Sequence, residues 1–216
     1  MDKLIRHLQE IGVLKDPLII DAFKNIDRAK FIPEDMKQWA YIDEALSIGS
    51  GQTISQPYTV AFMLELLEPK PGEKILDIGA GSGWQTCLLA HIVGEKGKVF
   101  GIEIIPELCK FGKKNVKSFN FIEKGVVEWI CGDASQKATF DPVRNEISGG
   151  VDKIIAAAAL GDDIPQEWKD QLKIGGRIVT PIKDSIWLFI KKDKDEFETK
   201  EYPGFAFVPF VHKENE

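Results

Sequence analysis

Cysteine, histidine and basic charge are all in short supply in this chain of 216 residues, and each shortage removes a class of function. The three cysteines, Cys87, Cys109 and Cys131, are odd in number, far apart and set in apolar segments with no Cys-x-x-Cys spacing. Buried, reduced thiols are therefore expected, and neither a redox pair nor a thiolate zinc site. His7, His91 and His212 are equally scattered, so no catalytic metal is expected. Lys and Arg number 28 against 34 Asp and Glu, a formal charge of −6, which argues against an affinity built on neutralising phosphates and against a nucleic-acid partner. No apolar run approaches the roughly 20 residues that cross a bilayer. Met1-Asp2-Lys3-Leu4 opens an amphipathic stretch rather than a signal peptide, so no membrane partner and a cytoplasmic location are expected.

What is present is a chain of ordinary single-domain size, 44% hydrophobic, with ample material for a core. Leu4, Ile5, Leu8, Ile11 and Leu14 recur at helical spacing, and Leu18, Ile19, Ala22, Phe23 and Ile26 repeat the pattern after Pro17, which predicts two opening helices. From Arg28 to Pro57 the chain is irregular, a long loop of the kind that more often carries function than not. A helix over about Tyr58–Leu67 follows. From Gly72 onward short apolar runs alternate with amphipathic ones, the pattern of a parallel sheet covered by helices. Strands are expected at Lys74–Ile78, Lys98–Ile102, Val126–Ile130, Lys153–Ala157, Arg177–Pro181 and Ile186–Lys192, and helices near Trp84–Val93, Pro106–Ser118 and Gln166–Leu172. The end, from Ile186 through Phe210, reads as antiparallel strands around the charged turn Lys191–Glu196.

Three strand ends carry chemistry. Ile75-Leu76-Asp77-Ile78-Gly79-Ala80-Gly81-Ser82-Gly83-Trp84 runs an apolar strand into a Gly-x-Gly-x-Gly turn and then a helix, so backbone can approach a ligand where side chains would block it. The spacing is neither the dinucleotide fingerprint nor the phosphate loop. Glu103 closes the next strand, where an acid can accept from both hydroxyls of a ribose, and Asp133 closes the third, within reach of an adenine amino group. Each alone has a plainer reading: a strand-to-helix connection, an acid at a helix N-terminus, a loop cap. In order along one sheet edge they point to S-adenosylmethionine. Ahead of them Ile48-Gly49-Ser50-Gly51-Gln52-Thr53-Ile54-Ser55-Gln56-Pro57 combines permissive glycines with polar side chains able to line a ligand.

That loop, Gly51-Gln52-Thr53-Ile54-Ser55-Gln56-Pro57, resembles the hallmark of the protein-L-isoaspartate O-methyltransferase family. Arg28-Ala29-Lys30-Phe31-Ile32-Pro33, Tyr41-Ile42-Asp43, the glycine turn, Gln171–Pro181 and Phe207-Val208-Pro209-Phe210 follow the same family order, so the resemblance spans nearly the whole chain. It implies an α/β, Rossmann-like S-adenosylmethionine-dependent methyltransferase sheet. Residues 1–71 would form a substrate cover and active-site loop, and 72–216 the cofactor sheet with C-terminal antiparallel strands, all in one domain. It further implies that Ser55 is the active-site residue, that Gln52, Thr53, Ile54 and Ser55 lie beside the cofactor, and that Gly79, Gly81 and Ser82 cradle its methionine portion. Glu103 would hold the ribose, and Asp133 with Ala134 the adenine; Asp77 and Leu108 complete the expected cofactor set. The implied substrates are isoaspartyl-containing proteins and peptides, met by a monomer. Two stretches depart from the family pattern, Ala134–Gly150 and Ala157–Asp163, the second lacking a proline. Both are expected near the cofactor or substrate mouth, which leaves a peptide-tailoring or small-molecule carboxylate O-methyltransferase on the same scaffold as the alternative.

Overall fold

The computed structural model describes residues 1–146 and 149–212. In chain order the elements are α1 (Asp2–Glu10), α2 (Pro17–Asn25), 3-10 turns at Arg28–Phe31 and Glu34–Trp39, β1 (Leu46–Gly49), β2 (Gln52–Ile54), α3 (Pro57–Leu67), β3 (Lys74–Ile78), α4 (Trp84–Val93), β4 (Lys98–Glu103), α5 (Pro106–Lys117) and β5 (Val127–Cys131). A 3-10 turn at Lys137–Phe140 then leads to α6 (Asp141–Glu146), β6 (Val151–Ala156), α7 (Gln166–Gln171), β7 (Leu172–Ile182), β8 (Ser185–Lys191) and β9 (Phe197–Pro203).

β3 to β9 form one seven-stranded sheet in the order β5-β4-β3-β6-β7-β8-β9. The first five of these strands run parallel, while β8 pairs antiparallel with both β7 and β9. Side chains alternate across the sheet as a period of two requires. Ile75, Val99, Ile155 and Val179 join the core under α1 to α5, and Leu76, Ile78, Phe100, Ile102, Ile154 and Ile178 join the core on the other face. α4 is apolar around its whole circumference because it is wedged between α2 and β4, with nine of its ten residues buried. The chain leaves β3 toward β4 on one side and returns through β6 on the other, so the strand order reverses beside β3. The crevice at the carboxyl ends there is where open α/β sheets bind ligands.

The N-terminal cover is tied down by side chains acting over long sequence distances. Asp16 caps α2, its carboxylate accepting from Leu18 N at 2.7 Å. Asp43 does the same for α3 from outside, accepting from Tyr58 N at 2.8 Å, and Tyr41 Oη donates to Asp27 at 3.0 Å. The stretch expected to be irregular contains an antiparallel hairpin, β1 with β2, turning at Ser50-Gly51 with φ of 53° and 70°. Two successive left-handed residues suit a tight hairpin turn.

Two expectations are corrected. Cys109 and Cys131 are not separate reduced thiols but a disulfide with Cα atoms 5.8 Å apart, and Cys131 is exposed; Cys87 is free and buried. β5 pairs with β4 so that Glu103 faces Cys131, and α5 begins only three residues past Glu103, which sets its first turn beside the end of β5. The segment after β9 is not a further antiparallel strand. Residues 204–210 cross the carboxyl ends of the sheet instead, held by Ala159 N to Val208 O and Phe210 N to Ala159 O, both 2.8 Å.

Gly112, in the middle of α5, is a contact point for the glycine turn. A Cβ there would strike the Gly81 carbonyl oxygen and stand 2.6 Å from the Trp129 indole, neither of which can swing aside. Gly112→Ala should therefore lose about 1–3 kcal/mol of stability through overpacking, despite a helix propensity gain of about 1 kcal/mol. Urea unfolding of the variant beside the parent measures this; a stabilised variant would show that α5 and the turn are not in contact.

Candidate functional site

Two openings meet at the carboxyl edge of the sheet. One is a cleft walled by Ile78, Gly79 and Gly81 after β3, Glu103, Ile104, Ile105 and Leu108 after β4, Gly132 and Ala134 after β5, and Ala157 and Ala158 after β6. The other is a groove of about 1060 Å³ between the hairpin loop, α3 and the crossing segment 202–209. Thr53 and Ala157 line both, and Ser55 lines the groove together with a small recess that reaches Gly79, Gly81 and Ser82.

The cleft's floor is backbone. Gly79 and Gly81 take φ of 71° and 54°, a region that costs a side-chain-bearing residue about 1–2 kcal/mol. Added Cβ atoms would have Ala158 at 3.8 Å and Ile48 at 3.4 Å as neighbours. Ile48 belongs to β1, so the hairpin lies over the turn. Glu103 is nine-tenths or more buried and binds the turn directly: Oε2 accepts from Gly81 N at 2.7 Å and Oε1 from Ile105 N at 2.9 Å. Burial raises its pKa, against those backbone hydrogen bonds, which lower it. With Ile104 N–H also bound to the carboxylate, about one of its four lone-pair sites is left for a ligand.

The other expected residues fall in distinct places. Gln52, Thr53, Gly79, Gly81, Glu103, Leu108 and Ala134 line the cleft; Ile54, Ser55 and Ser82 line the adjoining recess. Asp77 and Asp133 are buried and are not among the lining residues. Asp77 lies at the end of β3 with its carboxylate accepting from Gln85 Nε2 at 2.7 Å and from Thr86 Oγ1, so it fastens the strand to α4. Asp133 Oδ1 takes Ser135 N at 2.8 Å and Ser135 Oγ at 2.7 Å, shaping the bend that presents Gly132 and Ala134. Ile48, Ile104, Ile105, Ala158 and the crossing residues Val208 to Val211 also wall the cleft without having been singled out from sequence. The only signal for the last was the family-like Phe207-Val208-Pro209-Phe210, read as strand. Among the described residues no three His, Cys, Asp or Glu side chains gather as metal ligands would.

The departing segments reach the openings through Ala134, Ala157 and Ala158, and residues farther along them are taken up by packing. In the segment that lacks the family's proline, Leu160 is buried and its N–H donates to Pro181 O at 2.9 Å. Phe140 and Val143 fill the second core, and Ala134 O accepts from Trp168 Nε1 at 2.9 Å. None of residues 135–150 lines either opening among the described residues.

Comparison with known proteins agrees with this arrangement. Residues 1–215 match the family model described as protein-L-isoaspartate(D-aspartate) O-methyltransferase. This chain belongs to that family. The protein-L-isoaspartate O-methyltransferase of Methanopyrus kandleri is 35% identical over 99% of the chain and 92% of its own length. Protein-L-isoaspartate O-methyltransferase 2 of Archaeoglobus fulgidus is 39% identical over 88% and 84%. A Plasmodium falciparum structure assigned to the same family, in complex with S-adenosyl-L-homocysteine, superposes with a TM-score of 0.84 at 24% identity, covering 97% of each chain, and shows the shared fold.

Asp77 provides a pH signature of the site. Burial lifts its pKa to about 6, with Thr86 and Gln85 pulling it down and the Glu103 charge pushing it up. A carboxyl raised in the folded state stabilises most when protonated, so its contribution is present below about pH 4 and is lost as pH rises through about 6. The stability of the parent relative to Asp77→Asn should accordingly fall by about 2–3 kcal/mol between pH 4 and pH 7. Paired urea titrations across that range test the sign, and a flat difference would mean that Asp77 titrates normally.

Proposed function

We propose that the protein transfers the methyl group of S-adenosylmethionine to the free α-carboxylate of L-isoaspartyl residues in damaged proteins and peptides. The observation that carries this reading is the wall common to both openings, where Thr53 and Ala157 stand between the strand-end cleft and a groove of about 1060 Å³, with Ser55 at the junction. The cofactor fits the residues present: a floor of left-handed glycines that keeps the backbone bare, an acid among N–H donors for ribose hydroxyls, and small residues, Gly132 and Ala134, for a flat base. When bound, it supplies an electrophilic sulfonium methyl.

The chain's own part is to hold and orient. An unperturbed carboxyl titrates near 4, so the isoaspartyl carboxylate is ionised at neutral pH and needs no general base. Ser55 Oγ donates to one of its oxygens and turns the other toward the cleft, which makes catalysis a matter of approximation. The groove takes the flanking peptide, and among the described residues its lining has no ionised side chain, so the carboxylate loses water on entry. Esterification then primes the carboxyl for attack by the neighbouring backbone nitrogen, and the resulting succinimide can open to a normal aspartyl linkage. The groove's size favours a peptide over a small carboxylic acid as substrate.

Beyond the reaction, we assign the protein to the cytoplasm as a monomer with no nucleic-acid or membrane partner. The net charge of −6 supports this, as does the lack of any helix among the described residues long and apolar enough to cross a membrane. The Cys109–Cys131 bridge fits a cytosol only where intracellular disulfides persist, as they do in hyperthermophiles.

Glu103→Ala should weaken S-adenosylhomocysteine by roughly 10- to 150-fold, since hydrogen bonds to a charged acceptor contribute about 1.5–3 kcal/mol. Calorimetric titration reads this, and unchanged affinity would remove Glu103 from the site. Ser55→Ala should slow methylation of an isoaspartyl peptide by roughly 5- to 150-fold while changing cofactor affinity less. The control is the matched aspartyl peptide, which the parent enzyme should methylate far more slowly. Equal rates on the two peptides would defeat the functional assignment.

A further inference from the structure

Arg28 is a wholly buried guanidinium with no carboxylate among its hydrogen-bond partners in the described residues. It donates only to main-chain carbonyls: Nη1 to Ala40 O at 3.0 Å and Ile42 O at 3.2 Å, Nη2 to Glu44 O at 2.8 Å and Ser55 O at 3.2 Å. Its other side is an aromatic face, with the guanidinium carbon 5.4 Å from the centroid of the Trp84 ring. Burial draws its pKa down to about 10 while Asp43 pulls it back, so the group stays charged at neutral pH.

The two ends of this arrangement meet at the recess, which Ser55 and Trp84 both line. Ser55 stands in the groove wall, and Trp84 is the first residue of α4, immediately after the glycine turn that floors the cleft. Trp84 is itself fixed, its Nε1 donating to Ile26 O at 3.2 Å and its ring meeting Phe23 edge-on at 5.4 Å. A planar cation with donors spread along its rim can bridge carbonyls and lie on an aromatic face at once, whereas a lysine ammonium offers a point charge and no plane. We infer that Arg28 is a positioning residue for methyl transfer: through the Ser55 carbonyl and the Trp84 ring it sets the separation between the Ser55 loop and the glycine turn. The inference rests on the role given to Ser55 above. It extends that role to a residue outside both openings, because misplacing a reacting group by about 1 Å can cost on the order of 100-fold in rate.

The test is Arg28→Lys, which keeps the charge, together with Trp84→Leu, which removes the aromatic face and leaves every carbonyl of Arg28 in place. Active sites are counted by S-adenosylhomocysteine titration, so that loss of folded enzyme is separated from loss of rate. In Arg28→Lys, kcat per titrated site on an isoaspartyl peptide should fall roughly 10- to 100-fold. S-adenosylhomocysteine affinity should stay within about threefold, because the cleft's floor and strand-end groups remain. Trp84→Leu should lower kcat per site in the same direction. In Arg28→Ala, added guanidinium ions should restore part of kcat, and they should restore none in Ser55→Ala. An Arg28→Lys enzyme with reduced thermal stability but parental kcat per site would overturn the inference and leave Arg28 a staple of the cover. So would an unfolded Arg28→Lys beside an unimpaired Trp84→Leu, while an unfolded Arg28→Lys beside a slowed Trp84→Leu would support it. Failure of the functional assignment is read separately, from the parent enzyme's preference between isoaspartyl and aspartyl peptides.

Discussion

The Gly81 peptide unit is held from two sides, and the rest of the site is built outward from it. Its N–H is bound by Glu103 Oε2 at 2.7 Å, and its carbonyl is closed in by Gly112 of α5, where even a methyl group would collide. β3, β4 and α5 are thereby locked at one point. The same carboxylate that anchors the turn also lines the cleft, so the ligand role proposed for it and the local structure rest on one group. Burial raises the pKa of Glu103 while Gly81, Ile105 and Ile104 supply the N–H groups that oppose the rise. Nearby Asp77 is more buried still and has only side-chain donors from α4, which is why its pKa is pushed as far as about 6.

The wall opposite that point comes from the cover. β1 and β2 carry Ile48 over the glycine turn and Thr53 into both openings, and their position depends on contacts far along the chain. Asp43 caps α3, Gln56 Nε2 donates to Asp43 O at 3.0 Å, and Arg28 gathers the carbonyls of 40, 42, 44 and 55. Residues 28–57 are long for a loop, and they are ordered by buried hydrogen bonds rather than by periodic secondary structure.

This difference decides what was legible in the sequence. The parallel strands and α4 announced themselves because short apolar runs and glycine breaks are local signals, and Gly79, Gly81 and Glu103 were placed by strand-end logic alone. The Cys109–Cys131 bridge had no such signal: a spacing of 22 residues means nothing until the register of β4 against β5 and the start of α5 bring the two together. Gly112 was hidden in the same way, since a glycine inside a helix reports only a loss of propensity and not the carbonyl it accommodates. Residues 204–210 have strand composition, yet their hydrogen-bond partner is the Ala159 loop and not a neighbouring strand. The sequence supplied extended backbone, and tertiary contacts chose where it lies. Leu160 illustrates the converse. The segment expected at the mouth lies there through Ala157 and Ala158, while Leu160 beside them is taken up by a core contact and a hydrogen bond to Pro181 O.

The charge distribution explains why so uncharged a groove suits the reaction. Tyr58, Phe62, Tyr202 and Phe205 stack and tilt against one another along it, with ring centroids 5.1 to 6.5 Å apart, and among the described residues no Asp, Glu, Lys or Arg lines it. Forming a methyl ester from a carboxylate and a sulfonium destroys one charge of each sign. A medium that solvates ions poorly therefore raises the ground state more than the transition state, in which both charges are already shrinking. A cation placed in the groove would bind the carboxylate well, yet it would hold the ground state better than the transition state and so slow the step. Arg28 is kept out of the groove and turned onto carbonyl dipoles and the Trp84 ring, and Lys200 stays outside the lining, over the Tyr202 ring at 5.0 Å. The hydrogen bonds of Arg28 reach the groove wall through the Ser55 carbonyl, and the proposed mechanism gives the Ser55 hydroxyl, a neutral donor, the contact with substrate.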